Sequence, residues 1–142
     1  MTIKEKFTKW INLDIRKVAI ETLNENEHEY LRIQKQQMYK GEDAIDGTMN
    51  QYKWDSYADK KSRMNSKPPY GVRDNYLTGD FYSGFYLKAD GNSFTVGSMD
   101  SKEEIIEKQS GGSIFGLNTE STKEFKPTFQ KGFISKVKDA TS

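Results

Sequence analysis

The run from Phe81 to Ser98, FYSGFYLKADGNSFTVGS, constrains the fold more than any other part of this chain. Alternate positions place Phe81, Ser83, Phe85, Leu87 and Ala89 on one face and Tyr82, Gly84, Tyr86 and Lys88 on the other. That period of two marks a strand with one buried face. Asp90-Gly91-Asn92 then supplies residues that tolerate positive φ, the chemistry of a tight turn. The return strand brings Phe94, Val96 and Ser98 to one side. The result is a hairpin whose apolar face packs on helices.

The helices are marked on both sides of it. No Gly or Pro precedes Gly41, and Ile11, Ile15, Val18 and Ala19 recur at three- and four-residue spacing. Ile20, Leu23, Tyr30, Leu31 and Met38 continue the pattern loosely. The expectation is a long N-terminal helix that either breaks at the all-polar run Asn24–Glu29 or crosses solvent there. Gly41 stops it, because glycine takes the left-handed conformation without strain. Downstream, Ser101 and Glu104 have the spacing of a capping box, with Asp100 as the alternative cap. A short middle helix anchored by Ile105 and Ile106 follows, and Gly111-Gly112 ends it. Ser113–Leu117 reads as a strand or extended segment and Asn118–Lys126 as a polar loop. Pro127 suits the first turn of a C-terminal helix, where its missing N–H costs nothing. Phe129, Phe133, Ile134 and Val137 continue that helix.

Between Glu42 and Tyr76 lies a stretch with weak periodicity, containing Gly47, Pro68, Pro69 and Gly71. Structureless connections beyond about 12–15 residues are uncommon in compact domains. This one is rich in aromatics (Tyr52, Trp54, Tyr57, Tyr70 and Tyr76), which disordered segments normally lack. It reads as an extended arm, with a helical turn at Ser56–Lys61, that becomes ordered against something else. The length of 142 residues suits one domain spanning 1–142.

Only 34% of residues are apolar, against roughly 45–50% in globular domains by a count that includes Gly. Both a thinly cored monomer and a subunit that completes its burial against neighbours fit that figure. The net charge is +1, from 22 basic and 21 acidic residues, which argues against a general nucleic-acid binder. The local basic run Lys60-Lys61-Ser62-Arg63 with Lys67 reads as a solvated loop. There is no cysteine, so disulfides and thiolate metal sites are impossible. Met1–Lys6 has no apolar signal core and no stretch approaches the length of a membrane span. The expectation is a soluble protein made in the cytoplasm.

Catalytic patterns fail one by one. The single His28 lies between Glu27 and Glu29, and adjacent residues on a helix cannot converge on one ion. Asp43 and Asp46-Gly47 suggest a calcium loop, but the twelfth position, where a bidentate Glu belongs, is Trp54. Gly111-Gly112 lacks the Lys-Ser/Thr of a phosphate loop. Asp80 is the best candidate for an acid of glycoside hydrolysis, yet nothing nominates a second carboxylate. No cofactor is expected, and aromatic stacking on bases is less in keeping with the neutral charge than packing is.

One set of motifs resembles a known family. Gln36-Gln37-Met38-Tyr39-Lys40-Gly41 closes the N-terminal helical region, and an Asp-rich turn (Asp43–Gly47) and a Tyr-rich connector (Tyr52–Lys61) follow. Leu77-Thr78-Gly79-Asp80-Phe81 leads into the hairpin. Val96-Gly97-Ser98 ends it, a short acidic helix (Lys102–Gln109) comes next, and then Gly111–Leu117, GGSIFGL. In this order the chain resembles the tail-completion and head-to-tail connector proteins of tailed bacteriophages, particularly those of Bacteroidetes phages and prophages. The resemblance covers most of Ile33–Leu117. Phe125-Lys126-Pro127-Thr128-Phe129 departs from the aromatic or Pro-Phe loop common near the family's C-terminus.

The resemblance implies a non-enzymatic virion protein forming a homo-oligomeric ring in the neck or tail top, between portal or adaptor and tail proteins. It implies an α+β fold: a twisted antiparallel sheet with a central hairpin, a long N-terminal helix, a short middle helix, a C-terminal helix and a long extended loop reaching adjacent subunits. Neither a membrane nor sequence-specific nucleic acid is an expected partner. On this reading Tyr52, Trp54, Tyr57, Tyr70, Tyr76, Tyr82 and Tyr86 form the subunit interface, since Tyr and Trp bury large area at low rotamer cost and keep a polar handle. The competing reading is a small soluble phage-encoded hydrolase or regulatory protein acting as a monomer.

Overall fold

The Gly- and Pro-free N-terminal region folds, in the computed structural model, as three helices rather than one: α1 (Ile3–Ile11), α2 (Ile15–Glu25) and α3 (Glu27–Tyr39). The structure describes residues 2–142. Short polar side chains make the breaks. Asp14 leaves helical geometry and its carboxylate accepts the Lys17 amide at 3.1 Å, starting α2. Asn26 breaks the path inside the expected Asn24–Glu29 run, with its side-chain amide donating to the Thr22 carbonyl at 2.8 Å. Thr2 and Glu5 form a reciprocal capping box at the start of α1.

The remaining elements are α4 (Asp55–Met64), α5 (Asp80–Ser83), β1 (Phe85–Asp90), β2 (Ser93–Ser98), α6 (Glu103–Ser110) and α7 (Thr119–Thr141), so the fold is mixed α+β. β1 and β2 pair antiparallel around Gly91-Asn92, with Phe85 opposite Ser98, Leu87 opposite Val96 and Ala89 opposite Phe94. Those six share one face, as alternation requires. The strand begins later than its pattern suggests, however. Phe81 and Ser83 belong to the single helical turn α5, so Phe81 and Tyr82 are both buried instead of facing opposite ways. Gly79, at φ 91°, starts that turn, and the Tyr82 hydroxyl is held by the Asp74 carbonyl. A tertiary anchor has overridden the local period.

One core gathers residues from most of these elements, among them Tyr30, Ile33 and Met38 of α3, Met49, Phe81, Phe85, Leu87, Ile106, Ile114 and Phe125. α7 runs about 34 Å at 1.5 Å per residue and packs on α1, α2 and α3. It starts earlier than Pro127 implies. Asn118 accepts the Ser121 amide at 2.9 Å, and the expected polar loop is already helical, with Pro127 inside. Proline there forfeits the bond to the Lys123 carbonyl at about 3 kcal/mol. Burial of Phe125, edge-on to Tyr30 at 5.4 Å, offsets much of that cost. Phe133 and Val137 are only half-buried and Ile134 is exposed.

α6 forms without the Ser101–Glu104 box. Asp100 does not cap it either: the N-cap position is Lys102, which has no side-chain cap bond, and Asp100 accepts the Lys102 amide at 2.8 Å in the turn before the helix; of the paired isoleucines only Ile106 is buried. Gly111, at φ 104°, terminates the helix as expected.

The 113–117 segment joins no strand, yet Ile114 is wholly buried. Two glutamines of α3 take the place of a strand partner. Gln34 donates to the Ile114 carbonyl at 3.1 Å and accepts the Gly116 amide at 2.8 Å. Gln37 donates to the Gly116 carbonyl and accepts the Asn118 amide, both at 2.8 Å. Gln34→Leu should therefore cost about 1–3 kcal/mol, the penalty for orphaned buried backbone groups. A urea titration checks it; a loss within error of zero would mean water replaces the amide.

The Glu42–Tyr76 segment is not an arm. It folds back on its own subunit through bridges Glu42–Thr48 and Gln51–Val72, with α4 between. The Ala44 and Asn50 amides donate to the carbonyls of Ser113 and Ser110. Met49 and Val72 enter the interior, and a Cβ on Gly41 would stand 2.7 Å from the Val72 side chain. The expected helical turn at Ser56–Lys61 is present within α4.

Candidate interaction surface

Tyr52, Tyr57 and Tyr76 of the 42–76 segment are explained by a buried ion pair. Lys61 of α4 and Asp74 have almost no exposed side-chain surface and meet at 3.0 Å. Asp74 Oδ1 also accepts from the Tyr52 hydroxyl at 3.1 Å and the Tyr76 amide at 2.9 Å, and Oδ2 accepts from Asn65 at 2.9 Å. Lys61 donates in addition to the Tyr76 carbonyl, and Tyr82 to the carbonyl of Asp74. A buried charge tolerates such a site only when its hydrogen bonds are met. Burial, and next the negative charge of Asp74, push the hydroxyls of Tyr52, Tyr57 and Tyr82 above the usual phenol range. Of these, Tyr52 and Tyr82 serve as donors, to the carboxylate and the carbonyl of Asp74.

The seven candidate interface residues separate into three groups. Tyr52 and Tyr57 meet edge to face at 4.9 Å, and Tyr76 packs between Tyr39 and Tyr82. Together with Tyr82 they form the wall of the Lys61–Asp74 site. Tyr82 is 6% exposed, so its assignment as a contact residue on the free hairpin face is corrected: it belongs to the subunit's own core. Tyr82→Ala should accordingly unfold the subunit rather than merely disrupt assembly. Trp54 and Tyr70 point outward, with Lys53 over the indole at 5.3 Å and the Tyr70 hydroxyl on Asp59. Tyr86 is half-buried on a separate surface beside Gly97.

The basic run is likewise redistributed: Lys60, Arg63 and Lys67 are exposed, but Lys61 is the buried partner of Asp74 and no part of a solvated loop. Asp43 accepts the Ile45 and Gly47 amides in a turn, and Asp46 accepts both the amide and hydroxyl of Thr119. That second contact holds the Asp46 carboxyl below its usual range. Asp80 and His28 are exposed, and no group of three or more potential metal ligands occurs among the described residues. Nor is any helix there long and apolar enough to cross a membrane.

Sequence reasoning expected helix over α1 but overlooked its apolar stripe. Ile3, Phe7, Trp10 and Ile11 follow the i, i+4, i+7, i+8 spacing of one helical face, and that spacing is the signal that could have found them. All four are exposed. No protein-family model, curated protein or solved structure matches the chain.

Proposed function

We propose that this chain is a non-enzymatic structural subunit that assembles with copies of itself into a ring in the head-to-tail connector, neck or tail top, of a tailed bacteriophage. The observation that carries the self-associating part is the placement of tryptophan. The chain has two, and both stand in solvent, Trp10 at 60% and Trp54 at 66% exposure. Tryptophan is normally highly buried in a subunit and enriched where one protein meets another. The motif order from Gln36 to Leu117 supports the connector assignment. Since the 42–76 segment lies on its own body, contact with neighbours passes through outward side chains, not through a reaching arm.

Trp54→Ala should leave the unfolding midpoint in urea unchanged and reduce incorporation into particles at least tenfold. Quantitative mass spectrometry of purified virions measures this, with the wild-type chain expected in multiple copies per particle. Finding the wild-type protein only in infected cytosol would remove the virion reading in favour of a monomeric hydrolase or regulator.

A further inference from the structure

α1 buries no residue, and the side it turns to the body is polar. Thr8 and Lys9 face the body, lining with Val18 and Ala140 the cleft between α1, α2 and the end of α7. Lys9 Nζ donates to the Ser142 carbonyl at 2.6 Å. At about 100° per residue, Ile3, Phe7, Trp10 and Ile11 then share the opposite, outward sector, with exposures from 60% to 88%. An ordinary amphipathic helix hides that stripe and shows its polar side. Lys4 and Lys6 border the stripe on its two flanks.

A groove towards the base of the hairpin carries one charge in its own lining, Lys88, and is bordered by carboxylates of α6. Half-buried Tyr86 and exposed Met99 line a groove of about 490 Å³ with Leu87, Lys88 and Ser98. A Cβ built on Gly97 would stand 2.9 Å from the Tyr86 hydroxyl and 3.0 Å from a Glu103 carboxylate oxygen, so Glu103 forms the groove's edge. Glu104 and Glu107 adjoin it on α6. Burial first, and then the charges of Glu103 and Glu104, raise the Glu107 carboxyl above its usual range. The ion pairs among the described residues include none of these three.

The two surfaces are different patches of one subunit. Arg16, at the start of α2, donates to the Asn92 carbonyl at the hairpin's tip at 2.8 Å. The groove begins in mid-strand and runs to the hairpin's base, with Tyr86 about 13 Å from Asp90 along β1. Two different complementary patches on one subunit favour a head-to-tail contact, which closes into a ring when the rotation per subunit permits.

We infer that the outward stripe of α1 seats in the Tyr86–Met99 groove of a second copy, with Lys4 and Lys6 against Glu103, Glu104 and Glu107. This deepens the ring reading above, resting on it for closed symmetry.

The absence of native cysteine makes the test clean. Trp10→Cys and Met99→Cys proteins are mixed, oxidised at high concentration, and also co-incorporated into particles. The expected product is a 10–99 cross-linked dimer at least fivefold over either homodimer and over a Ser66→Cys control partner. It should decline with salt, vanish with Lys4→Glu/Lys6→Glu, and return when Glu103→Lys/Glu104→Lys is added to the other copy. No 10–99 enrichment in either setting overturns the inference, as does a dominant Trp10→Cys homodimer. Capture of the wild-type chain, but not Trp10→Ser, by phosphatidylglycerol vesicles without 10–99 enrichment also overturns it, giving α1 to a lipid surface. Enrichment in purified protein that is absent from particles keeps the contact and removes the virion reading. Incorporation into particles without the 10–99 product does the reverse.

Discussion

Asp74→Ala is expected to lower the unfolding free energy by about 3–5 kcal/mol, the cost of stripping one partner from a buried ion pair. The residue is 2% exposed, and its carboxylate is the common acceptor for Lys61, Tyr52, Asn65 and the Tyr76 amide. Truncation leaves the Lys61 ammonium inside with only the Tyr76 carbonyl, and leaves three further donors short of an acceptor. Urea titration with constant slope measures the loss. The double variant Lys61→Met/Asp74→Leu should recover a large part of it, because apolar side chains of similar volume remove the stranded charge as well. A single variant within 1 kcal/mol of wild type would mean water reaches the pair, and the account of Lys61 and Asp74 as a dry buried pair would fall.

Phe85→Ala should cost a similar amount, about 3–5 kcal/mol, the range for truncating a buried phenylalanine. Phe85 sits at the centre of an aromatic cluster, its ring 5.2 Å from those of Phe81, Tyr82 and Phe115. Three neighbours from α5 and the 113–117 segment cannot all collapse into the space it leaves. Phe133→Ala, which helical spacing alone ranks beside it, should cost markedly less. Phe133 is half-buried and stacks on Phe129 at 5.6 Å near the outer part of α7. Thermal and urea unfolding of the two variants side by side checks the order. Equal stability of Phe85→Ala and wild type would refute the inward facing of β1.

The hairpin was legible because its signals are local. Period-two alternation and the Asp90-Gly91-Asn92 turn need nothing from the rest of the chain. The stop at Gly41 and the end of α6 at Gly111 were legible for the same reason, whereas the run Asn24–Glu29 left a break and a solvent-crossing helix equally open. Where a local rule failed, a distant partner had overruled it. Phe81 fits the strand pattern, but Tyr82 is tied to Asp74. Pro127 marks a helix start, but Asn118 and the burial of Phe125 begin α7 two turns earlier. The 42–76 segment looked unpartnered because what holds it is a buried pair of its own, Lys61 with Asp74, and backbone bonds to Ser110 and Ser113, and one Asp among 21 acidic residues carries no periodic mark.

The residue pattern alone specified an α+β chain with helices before and after one hairpin, since those elements arise from interactions between residues a few positions apart. Tertiary structure decided the rest: that four tyrosines wall in Lys61 and Asp74, that two glutamines replace a strand, and that α1 turns its apolar side outward. Each depends on the free energy of burying a polar or apolar group at one place in three dimensions. That quantity is set by groups as far as 133 residues away, and no window of sequence contains it.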